Sequence, residues 1–319
     1  MSKTKTRNAK SNYYRESLSS DFKNPKQFWN KIKTIINTTD KLNINKIRVD
    51  NTIVHDSLDI AHIFNQHFTT VCSSLPSDSG LFKVSSNHIP ACYSSFSFRK
   101  ISPLEVLNAI NDLKVNSSPG LDGLENRLIK LASHVLIYPL ADLFNLSLST
   151  CELPNVWKCA RITPLHKGGD VLDANNYRPI SIICSIAKIF EKLIFNQLSH
   201  YLTINDILSP FQSGFRSNYS TTTALLKFSN DVYSAAEHGE LTGAIFIDLT
   251  KAFDFVDRYL LLDKLCNIGL SYNAVKWFSS YLHNRKQCVV LNGFHPISLL
   301  SNVVSLRGQH SDHFYSQSM

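Results

Sequence analysis

The sequence predicts a mixed α+β fold, and two observations carry that prediction. Apolar residues recur at helical spacing in several segments bounded by capping residues, and two short apolar runs read as strands. With 319 residues, 43% of them hydrophobic, the chain can bury one large core or two modest ones.

The elements follow in chain order. Asn24-Pro-Lys-Gln-Phe-Trp29-Asn-Lys-Ile-Lys-Thr-Ile36 places Phe28, Trp29, Ile32, Ile35 and Ile36 at helical spacing. Residues 37–100 form a Ser/Asn/Thr-rich connector with one helix expected from about Ser57 to Cys72. Ser102-Pro103-Leu-Glu105 reads as a capping box with proline at the first helical position, opening a helix to about Lys114. Ser117-Ser-Pro-Gly-Leu-Asp-Gly123 is turn chemistry. Helices are expected near 124–150, 185–202 and 220–238, the last stopped by Gly239. In the second of these, Ile186, Ile189, Phe190, Leu193, Ile194 and Leu198 share one face and read as core. A buried strand is expected over 243–248, helices over 257–268 and 273–284, and a strand over 286–292 that turns at Asn292-Gly293.

Composition excludes several classes. Seven cysteines (72, 92, 151, 159, 184, 266, 288) contain no Cys-x-x-Cys pair, which argues against a zinc site and against a secreted disulfide framework. The first residues hold no apolar signal region, and no apolar run approaches a membrane span. A soluble intracellular protein of the nucleus or cytoplasm is expected. The net charge of +8 is concentrated in residues 1–50, where twelve Lys/Arg face four acids. Such an arm, including Lys23, Lys26, Lys31 and Lys33, suits either salt-sensitive binding of a phosphate backbone or a solvated tail.

The most informative stretch is Gly243-Ala-Ile-Phe-Ile-Asp248-Leu-Thr-Lys-Ala-Phe253-Asp254. An apolar run ending in a carboxylate reads as a strand that delivers Asp248 to a working surface, where it could hold Mg²⁺ or cap the next helix. Around it stand Trp157-Lys-Cys-Ala-Arg161-Ile-Thr-Pro-Leu-His-Lys167-Gly-Gly-Asp170, Asn176-Tyr-Arg178-Pro-Ile-Ser181 and Phe211-Gln-Ser-Gly-Phe-Arg216. Trp277-Phe-Ser-Ser-Tyr-Leu-His-Asn-Arg285 and Gln287-Cys-Val-Val-Leu-Asn-Gly293 follow. In this order and spacing the chain resembles the reverse transcriptase of non-LTR (LINE-like) retrotransposons, from about Phe98 to about Asn302.

The resemblance implies right-hand polymerase fingers and a partial palm, preceded by a basic helical linker like the one that follows the endonuclease in these elements. Asp248 matches the first catalytic aspartate, and Leu249 the position whose backbone oxygen reaches one of two Mg²⁺ ions. Phe253 matches the bulky residue that selects deoxynucleotides; otherwise it is a core aromatic of the next helix. Arg178 and Lys167 match the fingers cations on the incoming triphosphate; otherwise they are exposed hairpin charges. Gln212, Gly214, Phe215 and Arg216 match a template-contacting segment. Asp254 and Asp257 read as helix-start residues, and His310 and His313 lack a further ligand for a metal. The implied partners are an RNA template, a DNA primer and deoxynucleoside triphosphates, with no membrane; the oligomeric state is not implied.

The chain also departs from the family. No Asp-Asp pair occurs in the 319 residues, so the Tyr-Ala-Asp-Asp hairpin is missing, as is the thumb. Where the family carries Gly-Val-Pro-Gln-Gly-Ser, the chain reads Val303-Val-Ser-Leu-Arg-Gly-Gln-His. Codons for Val303–Gln317 shifted back by one base can spell Gly-Val-Pro-Gln-Gly-Ser-Ala-Leu-Gly-Pro-Phe-Leu-Phe-Ser. The expected organisation is therefore a linker and connector over 1–97, fingers and partial palm over 98–303, and an out-of-frame tail over 304–319. The expected activity is RNA-directed DNA synthesis by family and none in this truncated chain. The alternatives are a catalytically dead nucleic-acid-binding remnant or a functionless translated relic.

Overall fold

The computed structural model describes residues 44–50, 52–73, 95–249 and 256–291, with six further positions between 11 and 32. The chain divides into two compact units, Met1–Asn45 and Lys46–Met319. Every element below belongs to the second. Lys23, Lys26, Lys31 and Lys33, Phe253 and Asp254, the Asn292-Gly293 turn, and residues 304–319 lie outside the described residues.

Strands β1 (Ile47–Val49) and β2 (Thr52–Val54) form an antiparallel pair, followed by helix α1 (Ser57–Ser73). Helices α2 (Pro103–Asn111), α3 (Asn126–Leu131) and α4 (Ser133–Thr150) come next, then strands β3 (Cys159–His166) and β4 (Tyr177–Ile182). The rest is α5 (Ser185–Ile204), α6 (Thr221–Glu237), α7 (Arg258–Asn267), α8 (Tyr272–Leu282) and β5 (Lys286–Val289). The second sheet has the order β4-β3-β5, with β4 antiparallel and β5 parallel to β3. α1 packs against β5, and Phe64 of α1 sets its ring edge-on to Tyr177 of β4 at 4.9 Å.

Local chemistry explains the boundaries. Ser102 and Glu105 form the expected capping box with Pro103 at the helix start. The guanidinium of Arg99 donates to Glu105 at 2.9 Å. That bond, working against partial burial and aided by the Ser102 N–H, holds the Glu105 carboxyl down at about 2. Ser220 and Thr223 box the start of α6, and Gly239 takes φ +73° just past its end. Asp257 accepts from the N–H groups of Tyr259 and Leu260, so it is a helix-start residue as read from sequence. The turn after α2 lies against α5 at Gly120, where a Cβ would come within 2.7 Å of the Cys184 Cα. Only glycine fits such an approach.

The core is helical. Phe144 of α4 stacks on Phe190 of α5 at 4.6 Å and 1°, and Trp157 meets both rings edge-on. Trp277 of α8 joins Phe190 and Phe98 at 5.5 and 5.4 Å. The 185–202 face that reads as core is core, with Ile189, Phe190, Leu193, Ile194 and Leu198 all buried. Two side-chain amides sew in the extended segment before α2. Asn145 exchanges two hydrogen bonds of 2.8 Å with the backbone of Ile101, and Gln197 pairs with the backbone of Arg99. Glu191 is buried beneath this core, where it accepts from the Tyr281 hydroxyl at 2.8 Å and lies 3.9 Å from Arg285. Burial pushes its carboxyl above the usual range, while the Arg285 charge opposes that rise.

Three expectations need correction. The single helix near 124–150 is two, α3 and α4, parted at Ala132, whose ψ of 7° leaves the helical range. The region 159–182, given no strand from its sequence, holds β3 and β4. Their cross-strand partners include Pro164 opposite Pro179, and two prolines mask a strand pattern. Such a pair costs no ladder bond when it falls at a non-hydrogen-bonded site. The third correction is the largest: residues 243–248 are irregular and exposed, with Ile245, Phe246 and Ile247 at 90%, 86% and 82% exposure. A strand exists only as a member of a pair, and no described residue pairs with this segment.

Candidate functional site

The β3–β4 hairpin brings two predicted residues together. Lys167 leaves the end of β3 and donates its backbone N–H to the Asn176 carbonyl at 2.9 Å. Arg178 lies on β4, directly opposite Leu165. Both side chains are exposed at the same end of the hairpin, where a planar guanidinium and a point-charge ammonium suit a polyphosphate.

The loop between them is held firmly. Gly168 and Gly169 take φ +114° and +86°, and a Cβ on Gly169 would strike the Asn176 side chain. The Asn176 amide donates to the Asp170 carbonyl at 3.0 Å, and the Tyr177 hydroxyl donates to the Val171 carbonyl at 2.7 Å. From outside the hairpin, the Arg48 N–H donates to the Leu172 carbonyl at 2.8 Å, and its guanidinium pairs with Asp170 at 3.0 Å. The Leu172 N–H and then Arg48 hold the Asp170 carboxyl below its ordinary range. Sequence reading missed Arg48 and Asp170 as supports. They lie 122 positions apart, and no local pattern links them.

The predicted template segment forms a compact loop before α6. The Gln212 amide donates to the Gly214 carbonyl at 3.2 Å, and Arg216 Nη1 donates to the Ser209 carbonyl at 2.9 Å. Phe215 holds φ +60°, which a bulky side chain adopts only under constraint.

Asp248 and Leu249 are both exposed on the irregular segment after α6. Phe228 of α6 approaches Phe246 at 6.2 Å, which ties that segment loosely to the helix. Among the described residues, no group of three or more His, Cys, Asp or Glu side chains could hold a metal ion. One carboxylate and one carbonyl do not fit a pair of Mg²⁺ ions, so the described residues do not by themselves complete such a site.

Residues 165–311 match the family model described as reverse transcriptase (RNA-dependent DNA polymerase). Among curated proteins, the chain is 32% identical over 206 residues to the probable RNA-directed DNA polymerase from transposon BS of Drosophila melanogaster. That alignment covers 64% of this chain and 22% of the relative. It is 34% identical over 180 residues to the RNA-directed DNA polymerase from mobile element jockey of the same species, covering 56% and 19%. Over these stretches the chain is similar to the reverse transcriptases of non-LTR retrotransposons. A more distant relative is the Pol polyprotein from type-1 retrotransposable element R2 of Popillia japonica, at 24% identity over 185 residues, 58% of this chain and 25% of that one. The chain thus spans about a fifth of the length of the first of these relatives. The match begins inside β3 and takes in Lys167, Arg178, the 212–216 loop and Asp248. Reverse transcriptases as a family use divalent metal ions. Among the described residues, no helix is long and apolar enough to cross a membrane.

Proposed function

We propose that this chain supplies the nucleotide-gripping and template-facing part of a non-LTR reverse transcriptase, which copies RNA into DNA from deoxynucleoside triphosphates. The observation that carries the reading is the braced hairpin that presents Lys167 and Arg178 together. In this reading β3 and β4 belong to the fingers, and the Asp248 segment belongs to the palm. Arg178 grips the triphosphate through paired N–H donors, and Lys167 neutralises its terminal phosphate. Gln212, Gly214, Phe215 and Arg216 face the template, and Phe253 crowds a ribose 2′-hydroxyl. Asp248 and the Leu249 carbonyl contribute to Mg²⁺ binding only beside further carboxylates. The basic arm with Lys23, Lys26, Lys31 and Lys33 holds nucleic acid backbone, and the protein works in the nucleus or cytoplasm.

Titration of a deoxynucleoside triphosphate into the purified protein tests the grip. Arg178→Ala is expected to weaken binding about tenfold, the loss typical of a charge-assisted bond to phosphate, with Lys167→Ala weaker in effect. A wild-type protein that binds no triphosphate would sink the reading. The 319 residues alone are expected to extend no primer on an RNA template with Mg²⁺. Product above an Asp248→Ala control would overturn that expectation.

A further inference from the structure

The loop between α5 and α6 holds two aromatic rings in solvent, each with a cation already on one face. Lys227 Nζ lies 4.2 Å from the Phe211 ring centroid, and the guanidinium carbon of Arg216 lies 4.4 Å from that of Tyr219. Phe211 is 79% exposed and Tyr219 42%. Burial therefore does not account for Phe211 being aromatic, and a cation–π contact at an exposed site adds little to stability.

The loop geometry keeps these rings in place. Phe215 and Asn218 adopt φ of +60° and +67°, Arg216 is anchored to the Ser209 carbonyl, and Ser220 caps α6 immediately after. Charge is one-sided here as well. Between Asp206 and Asp231 the charged side chains are Arg216 and Lys227, both cations. A loop of exposed rings, each backed by a cation, is well matched to single-stranded nucleic acid. Each base offers a π-face whatever its identity, and each nucleotide brings a phosphate. A cation seated on one face of a ring leaves the opposite face open and stands ready to meet that phosphate.

We propose that Phe211 and Tyr219, backed by Lys227 and Arg216, form a stacking platform for two unpaired bases of a single strand. The inference rests on the reverse transcriptase reading for the presence of nucleic acid at this surface. It adds the residues and the mode of contact. Stacking is indifferent to sequence, so the platform holds any base, as copying an arbitrary strand requires.

Fluorescence anisotropy with the 319-residue protein and a labelled single strand of about 12 nucleotides provides the test. Phe211→Ala and Tyr219→Ala are each expected to weaken binding about tenfold. Thermal unfolding of Phe211→Ala should match the wild type, because that ring is 79% exposed. Abasic sites in the strand should weaken wild-type binding by a similar factor, and Phe211→Ala should lose little more on that strand. Lys227→Gln should lower the slope of log K against log salt by about 0.7. RNA bound more tightly than DNA of the same sequence would assign the platform to the template, and equal binding would assign it to either strand. If the wild type binds but neither ring substitution nor abasic sites change affinity by more than about twofold, the platform is wrong and the family reading stands. If the wild type binds no single strand even at low salt, both fall together.

Discussion

Helices α5 and α6 both carry leucine and phenylalanine, and their surroundings could hardly differ more. α5 buries a face running from Ala187 to Leu202 against α2, the Phe144–Trp157–Trp277 aromatic nest and the Ile268 carbonyl that Tyr201 reaches. α6 buries none of its residues; Leu225, Leu226 and Tyr233 stand in solvent beside the equally exposed 243–249 segment. An apolar stripe shows that a helix has a face to bury. Whether the face is buried depends on a second element, which the helix's own sequence does not contain.

The sharpest way to break this comparison is to empty both regions in turn. Trp277→Ala, at the centre of the aromatic nest, is expected to lower unfolding free energy by about 3–5 kcal/mol in a denaturant melt. A loss below about 1 kcal/mol would show that the nest is not the core it resembles. The helix starts provide a finer contrast, because both α2 and α6 open on capping boxes and only that of α2 contains a carboxylate. Glu105 has its folded pKa lowered from 4.5 to about 2, so its stabilising effect is full above about pH 4.5 and lost as the pH falls towards 2. Arg99 is well exposed, and solvent screening limits the effect to no more than about 1 kcal/mol. Glu105→Gln should therefore destabilise the protein at neutral pH and match the wild type near pH 2. A gap that widened on acidification would reverse the sign and refute the pairing. The smallest effect belongs to α6, where Leu225→Ala should change stability by less than about 0.5 kcal/mol. A loss comparable to that at Trp277 would mean that α6 is packed in solution after all.

The same contrast explains what could be read in advance. Helix starts are local chemistry, so Ser102, Pro103 and Glu105 gave away α2, and Gly239 gave away the end of α6. The 243–248 segment has every local mark of a strand, but the pairing that makes a strand is not local. The opposite failure hid β3 and β4, where Pro164 and Pro179 look like breakers until their register shows them facing each other. Lys167 and Arg178 are singled out by the residues around them, while the Arg48–Asp170 brace, whose members lie far apart in sequence, is not. Glu191 and Arg285 were missed for the same reason, since a buried ion pair leaves no trace in either flanking sequence.

The facing prolines have a second consequence, which concerns neighbours rather than folding. Among the described residues β4 is an outer strand of its sheet, and its far side would ordinarily offer a row of N–H donors to any passing chain. Lys167 bonds to Asn176 at the hairpin end, and alternation along the antiparallel ladder puts Pro179 at a non-hydrogen-bonded position towards β3, so its missing N–H would have pointed outward. An incoming strand would then meet a gap in the donor row beside Arg178, whose charge must stay hydrated if it is not to bind phosphate. Pro179 thus also discourages edge-to-edge pairing along the strand that carries Arg178.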